Sequence, residues 1–153
     1  MRKFKTLFGI EIDNLAEYIK EYISTRENVE ILVGADSQNY SNRKTIYGVV
    51  IALYTKGKGA HVLCSRDTVP IERNTSTRLL TEVWKSIETA EFLKENGLPK
   101  PLWIDIDLNP DPKFKSNTVL RQAVGLVEGM GYQVRYKQLG AMVTYAANHL
   151  VRN

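Results

Sequence analysis

The chain has 153 residues, 43% of them hydrophobic and 25% charged, which is the balance of an ordinary globular domain with one core. No apolar run approaches the roughly 20 residues that span a bilayer, and the basic start, Met1-Arg-Lys-Phe-Lys5, lacks a signal peptide's apolar stretch and cleavage site. The single cysteine, Cys64, excludes an intrachain disulfide and a thiolate metal cluster, so the cytoplasm is the expected location and no membrane role is expected.

In chain order, residues 13–25 predict an amphipathic helix, capped by Asp13 or Asn14, with Leu15, Tyr18, Ile19, Tyr22 and Ile23 at helical spacing. A first strand is predicted over 29–36. The polar stretch 37–44 reads as a turn, and 45–54, rich in β-branched and aromatic residues, as a second strand. Lys56-Gly-Lys-Gly59 is a hairpin signal before a third strand over 60–66. A long helix over 75–96 carries Leu79, Leu80, Val83, Trp84, Ile87 and Ala90 as one apolar stripe, and ends at Gly97 ahead of Pro99 and Pro101. A fourth strand over 102–108 follows. Next come a helix from Ser116 or Asn117 to Gly129, a fifth strand over 132–137 and a last helix over 141–151. The sum is an α/β domain over 1–153: a mixed five-stranded sheet in the order β-β-β-α-β-α-β-α, with helices on both faces and an N-terminal helical extension over 1–27.

Two strands deliver carboxylates to their C-terminal ends: Ile31-Leu-Val-Gly-Ala-Asp36-Ser-Gln38 and Leu102-Trp-Ile-Asp105-Ile-Asp107-Leu-Asn109. Carboxylates on apolar strands repel one another and lose hydration, so a shared cation is the expected reason for them. Open α/β sheets gather their sites at such strand ends. Glu82 lies two turns into the long helix, at the border of its apolar stripe, with Glu88 on the solvated side. Asp105 shares its strand face with Asp107 by two-residue alternation, and its other reading is a structural carboxylate paired with Lys or Arg. Arg78 ahead of Glu82, and Lys113 and Lys115 after the second acidic strand, are the cations a phosphate backbone would need. A net charge of +4 suits such a polyanion without requiring it. His61, on a strand among apolar residues, is expected to be packed.

These strings, with Arg78-Leu-Leu-Thr-Glu82-Val, Lys115-Ser-Asn117 and Gly129-Met-Gly131-Tyr, resemble a poorly characterised bacterial and phage ribonuclease H-like family over residues 28–150. The resemblance implies a two-metal nuclease centre holding Mg²⁺ or Mn²⁺. It assigns Asp36, Glu82 and Asp107 as catalytic carboxylates and metal ligands, with Asp105 as a substitute. The fourth acid expected in the last helix is replaced by Ala146-Ala-Asn148-His149. Asn148 would then be a neutral ligand and His149 a nitrogen ligand or general base. Two hard cations fit such oxygen donors, because together they activate water, stabilise the reacting phosphate and assist the leaving oxygen.

The expected function is divalent-metal-dependent hydrolysis of phosphodiester bonds in DNA, RNA or a hybrid, by a monomer or homodimer. The rival expectation is a nucleic-acid-binding or scaffolding protein whose metal site has decayed, in keeping with the missing fourth acid. A nucleotide-phosphate hydrolase of the same superfold fits less well, since Gly57 and Gly59 lie on a hairpin rather than in a phosphate loop.

Overall fold

The structure, a computed structural model, describes residues 3–101, 103–106 and 117–136. Two short strands, β1 (Phe4–Thr6) and β2 (Glu11–Ile12), precede helix α1 (Leu15–Ser24). A meander follows of β3 (Glu30–Tyr40), β4 (Lys44–Thr55) and β5 (Gly59–Pro70), then helix α2 (Thr75–Glu95), β6 (Trp103–Ile106), helix α3 (Asn117–Gly129) and β7 (Gln133–Tyr136). The strands form one mixed sheet in the order β2-β1-β5-β4-β3-β6-β7. The meander pairs antiparallel, while β6 and β7 join β3's other side in parallel. The five strands expected from the sequence are the contiguous run β5-β4-β3-β6-β7 of this sheet, and β1 and β2 add to its β5 side. The last predicted helix, 141–151, lies outside the described residues. Among the described residues, no helix is long and apolar enough to cross a membrane.

The helix expected over 13–25 is α1, capped by Asn14, but the residues ahead of it form two short strands. Phe4, only 2% exposed, anchors β1 in the core, and β1 pairs with β5 through Lys5 opposite Cys64 and Thr6 opposite Leu63. Such short strands carry too few residues to show an alternation, so their cue is the tertiary partner rather than the sequence.

The β3–β4 hairpin is also longer than the polar stretch 37–44 suggests. Pairing continues to Tyr40 opposite Lys44, and the reversal occupies residues 41–43, with Arg43 at φ +62°. Thr45 explains the extension. Its hydroxyl, fully buried, donates to Asn39 Oδ1 at 2.5 Å and accepts from Glu72 N at 2.8 Å, while Asn39 Nδ2 donates to Glu72 O at 3.0 Å. Polar residues therefore continue the strand because each has a buried partner on the loop that feeds α2.

Alternation divides the sheet into two faces. Ile31, Val33 and Ala35 pack with Val49, Ile51 and Leu53 against Ile19 of α1 and Leu93 of α2. On the same side, Ile104 and Ile106 meet Val83, Ile87 and Ala90 of α2 and Leu120, Ala123 and Val127 of α3. The opposite face holds Leu32, Val50, Ala52, Val62 and Cys64, with Trp103 packed on them. Asn74 caps α2 by accepting from Thr77 N at 2.9 Å. Gly97, at φ +81°, ends the helix as the sequence predicts, and Leu98 N closes back on Leu93 O at 3.0 Å. Trp84 leaves the predicted apolar stripe: it is 46% exposed, while Glu82, one helical turn from Ser86, is buried.

Candidate active site at the seam of β3 and β6

Beyond their apolar packing, strand β3 and helix α2 are joined by a side-chain hydrogen bond. Glu82 is 6% exposed, and its Oε2 accepts a hydrogen bond from the Ser37 hydroxyl. A buried carboxylate is costly unless donors satisfy it, so this bond is what allows an acid on the inner face of α2. Around it lies Tyr47, which pairs with Ser37 across the β3–β4 ladder. Burial pushes the Tyr47 phenol up, against a lowering from its hydrogen bond with Thr81, and the Glu82 charge adds to the rise. Lys85 hangs over the Tyr47 ring, 5.0 Å from its centroid, and pairs with Asp67 at 2.7 Å. Arg78 lies half-buried one turn before Glu82, close enough for its charge to act on Tyr47.

Asp36 neighbours Ser37, and its Oδ1 accepts from Ser37 N at 2.8 Å. That local bond is the Asx habit of bonding the following backbone, here within a paired strand. Consecutive strand residues face opposite ways, so Asp36 projects with Leu32 and Gly34, away from the side on which Ser37 meets Glu82. The parallel register places Asp105 of β6 beside Gly34, one pleat from Asp36 and on its face. Asp105 is 3% exposed, and its neighbour on the far side is Arg135 of β7. The Arg135 guanidinium lies 3.8 Å from the Trp103 ring centroid, on the face that Trp103 shares with Asp105.

The strand end thus brings together Asp36 and Asp105 on one face, and Glu82 with Ser37 on the other. At the seam, Glu82 and Asp105 both line a void of about 10 Å³ with Ala35, Leu79, Val83, Ser86 and Ile106. Among the described residues, no group of three or more His, Cys, Asp or Glu side chains converges as a metal would require. Oxygen donors of this kind are nevertheless the type that Mg²⁺ and Mn²⁺ take. Asp107, Lys113, Lys115, Asn148 and His149 lie outside the described residues.

Ser37 is the residue sequence reading missed. Its cue was its position: a hydroxyl next to the strand acid, on the face turned toward α2. Glu88 is exposed, as expected. Glu91 is engaged elsewhere, accepting from Tyr132 Oη at 2.7 Å. His61 is half-buried and packed between tyrosines, 43 residues away from its partner Tyr18 in sequence.

Among curated proteins, none matches the chain. Two solved structures are similar. One is the Prototype Foamy Virus protease–reverse transcriptase, 11% identical, with a TM-score of 0.39; the match covers 82% of this chain and 21% of that one. The other is a foamy viral protease–reverse transcriptase in complex with dsDNA, 14% identical, with a TM-score of 0.39, covering 80% of this chain and 90% of that one. The present chain therefore spans about a fifth of the length of the first. A family model described as Ribonuclease H-like matches residues 12–152. The chain belongs to the ribonuclease H-like family.

Proposed function

We propose that the protein is a divalent-metal-dependent phosphodiester hydrolase acting on a nucleic acid. The observation that carries this reading is the hydrogen bond by which Ser37, the residue after the strand acid Asp36, holds the buried helix acid Glu82, in a chain of the ribonuclease H-like family. Members of this family typically depend on a divalent metal. In this reading Asp36 and Asp105 are the described residues that would hold the cation, with Asp107, two residues after Asp105 in sequence, as their companion. Bound there, the metal would supply the activated water and charge stabilisation on the phosphate. Ser37 serves twice: its N–H fixes the Asp36 carboxylate, and its hydroxyl fixes Glu82. Arg78, one turn before Glu82, and Lys113 and Lys115 would neutralise the nucleic-acid backbone. Asn148 or His149 would complete the site.

The test is cleavage of end-labelled single-stranded, duplex, hybrid and four-way-junction substrates in Mn²⁺, Mg²⁺ or EDTA. The expected result is metal-dependent cutting that falls on the order of a thousandfold in Asp36→Asn, about 4 kcal/mol of barrier. An Asp36→Asn protein that cuts as well as the wild type would overturn the mechanism. Binding without cleavage is the second reading, favoured by the Ser37–Glu82 bond, which already engages the helix acid. Shifted mobility of every substrate without product would select it.

A further inference from the structure

A large cavity lies at the opposite end of the sheet. It has a volume of about 790 Å³ and sits between the C-terminal turn of α1 and the β4–β5 hairpin. That hairpin pairs with the start of β3, since Tyr54 faces both Glu30 and Ala60. Six residues of strand separate Glu30 from Asp36, roughly 20 Å at about 3.3 Å per residue. The cavity is therefore separate from the carboxylates.

Its walls combine three rings and two cations. The Tyr22 and His61 rings stack with centroids 5.1 Å apart and planes 14° apart, and Tyr18 Oη bonds His61 Nε2 at 2.7 Å. The Arg26 guanidinium lies 3.7 Å from the Tyr22 centroid, extending the column to His61–Tyr22–Arg26. Arg26 Nη1 donates to Tyr22 O at 3.2 Å and to Thr25 Oγ1 at 3.0 Å, so the guanidinium is fixed at the rim. From the other side the turn presents Lys58, between Gly57 and Gly59, both at φ +81°. Glu27 is the single acidic lining residue. Burial, and then the charge of Arg26, hold the His61 imidazole below its ordinary value, which keeps that ring neutral in the stack.

A cavity of this size suits a small ligand rather than a protein segment. Arg26 and Lys58 offer a net positive rim, and a guanidinium binds phosphate by its edge while stacking by its face. We propose that this cleft is a second binding site that takes a nucleotide, its base continuing the His61–Tyr22–Arg26 column and its phosphate held between Arg26 and Lys58. The nucleotide is either free or the phosphorylated end of a strand; the chemistry is the same.

The experiment is a titration of the isotope-labelled full chain, following the backbone amides of Arg26, Lys58, Gly59 and Ala60 by NMR. Probes are adenosine monophosphate, adenosine, inorganic phosphate and a 5′-phosphorylated oligothymidylate. Adenosine monophosphate should give saturable shifts at these amides, about tenfold tighter than adenosine or phosphate alone. Lys58→Ala, on an exposed turn, should weaken it several-fold with the rest of the spectrum unchanged, and Arg26→Ala should do the same. Asp36→Asn should bind as the wild type does, which separates this outcome from that of the cleavage assay. Displacement by the oligothymidylate identifies a strand end, and its failure a free nucleotide. Absence of shifts at these amides with every probe, or equal binding of adenosine and its monophosphate, overturns the proposal.

Discussion

Ser37 and Asp36 divide one short motif between two faces of a strand, and the division was not visible in the string itself. The acid at 36 stood out because an apolar run led to it, whereas the serine after it looked like the start of a turn. Only the packed helix shows that the Ser37 hydroxyl supplies the donor that the buried Glu82 needs. A direct consequence is that Ser37→Ala should cost about 1–3 kcal/mol, because it leaves a buried carboxylate short of a hydrogen bond. Ser37→Thr keeps the hydroxyl and suits a strand, and should restore most of that loss in urea unfolding. Equal stability of Ser37→Ala and wild type would show that Glu82 finds another donor. The position of Glu82 on the inner side of α2 was legible because it borders the apolar stripe of a long, periodic helix. The place of Asp105 beside Arg135 was not legible, because it depends on the β6–β7 register, which joins segments 30 residues apart.

Helix α2 owes its placement to polar residues as much as to its apolar stripe. The hydroxyl of Thr45 links Asn39 of β3 to Glu72, two residues before the Asn74 cap, and so fixes where the helix begins. Its start at Thr75 and its stop before Gly97 were readable from the cap residue and the glycine, since these are local chemistries. The extension of β3 to Tyr40 was not, because Ser37, Gln38 and Asn39 are turn formers by propensity and become strand only through partners far away in sequence. Thr45→Val keeps the shape and the β preference while removing the hydroxyl. It should destabilise the protein by about 1–3 kcal/mol through the orphaned Glu72 N–H and Asn39 carbonyl, measured by thermal or denaturant unfolding. A neutral substitution would mean that water replaces the hydroxyl at a position with no exposure.

Across the molecule, the five strands from β3 to β7 and their order along the chain followed from the alternation of a meander with crossover helices, which local patterns specify well. The two N-terminal strands were invisible because three and two residues cannot carry a period, and their stability comes from Phe4 in a core built by distant segments. Phe4→Ala should therefore cost about 3–5 kcal/mol if the strand stays docked, and less if it detaches. The two outcomes separate at Cys64. Its thiol donates to Lys5 O at 3.5 Å, is 1% exposed, and is pushed up by burial, so it should resist alkylation in the native protein. Detachment should expose it to iodoacetamide well below the unfolding transition; continued protection would show that β1 holds without Phe4. The same hairpin has a further meaning for behaviour at high concentration. Beyond Ser65 the open edge of β5 carries Arg66, Asp67 and Pro70, groups that discourage another strand from adding, whereas its apolar stretch at Leu63 and Cys64 is the part that β1 covers. The outermost strand, β2, has two residues and gives an incoming chain almost no ladder to extend. On this side of the sheet the two short strands thus leave little edge for strand addition, so the residues that dock β1 also shield β5.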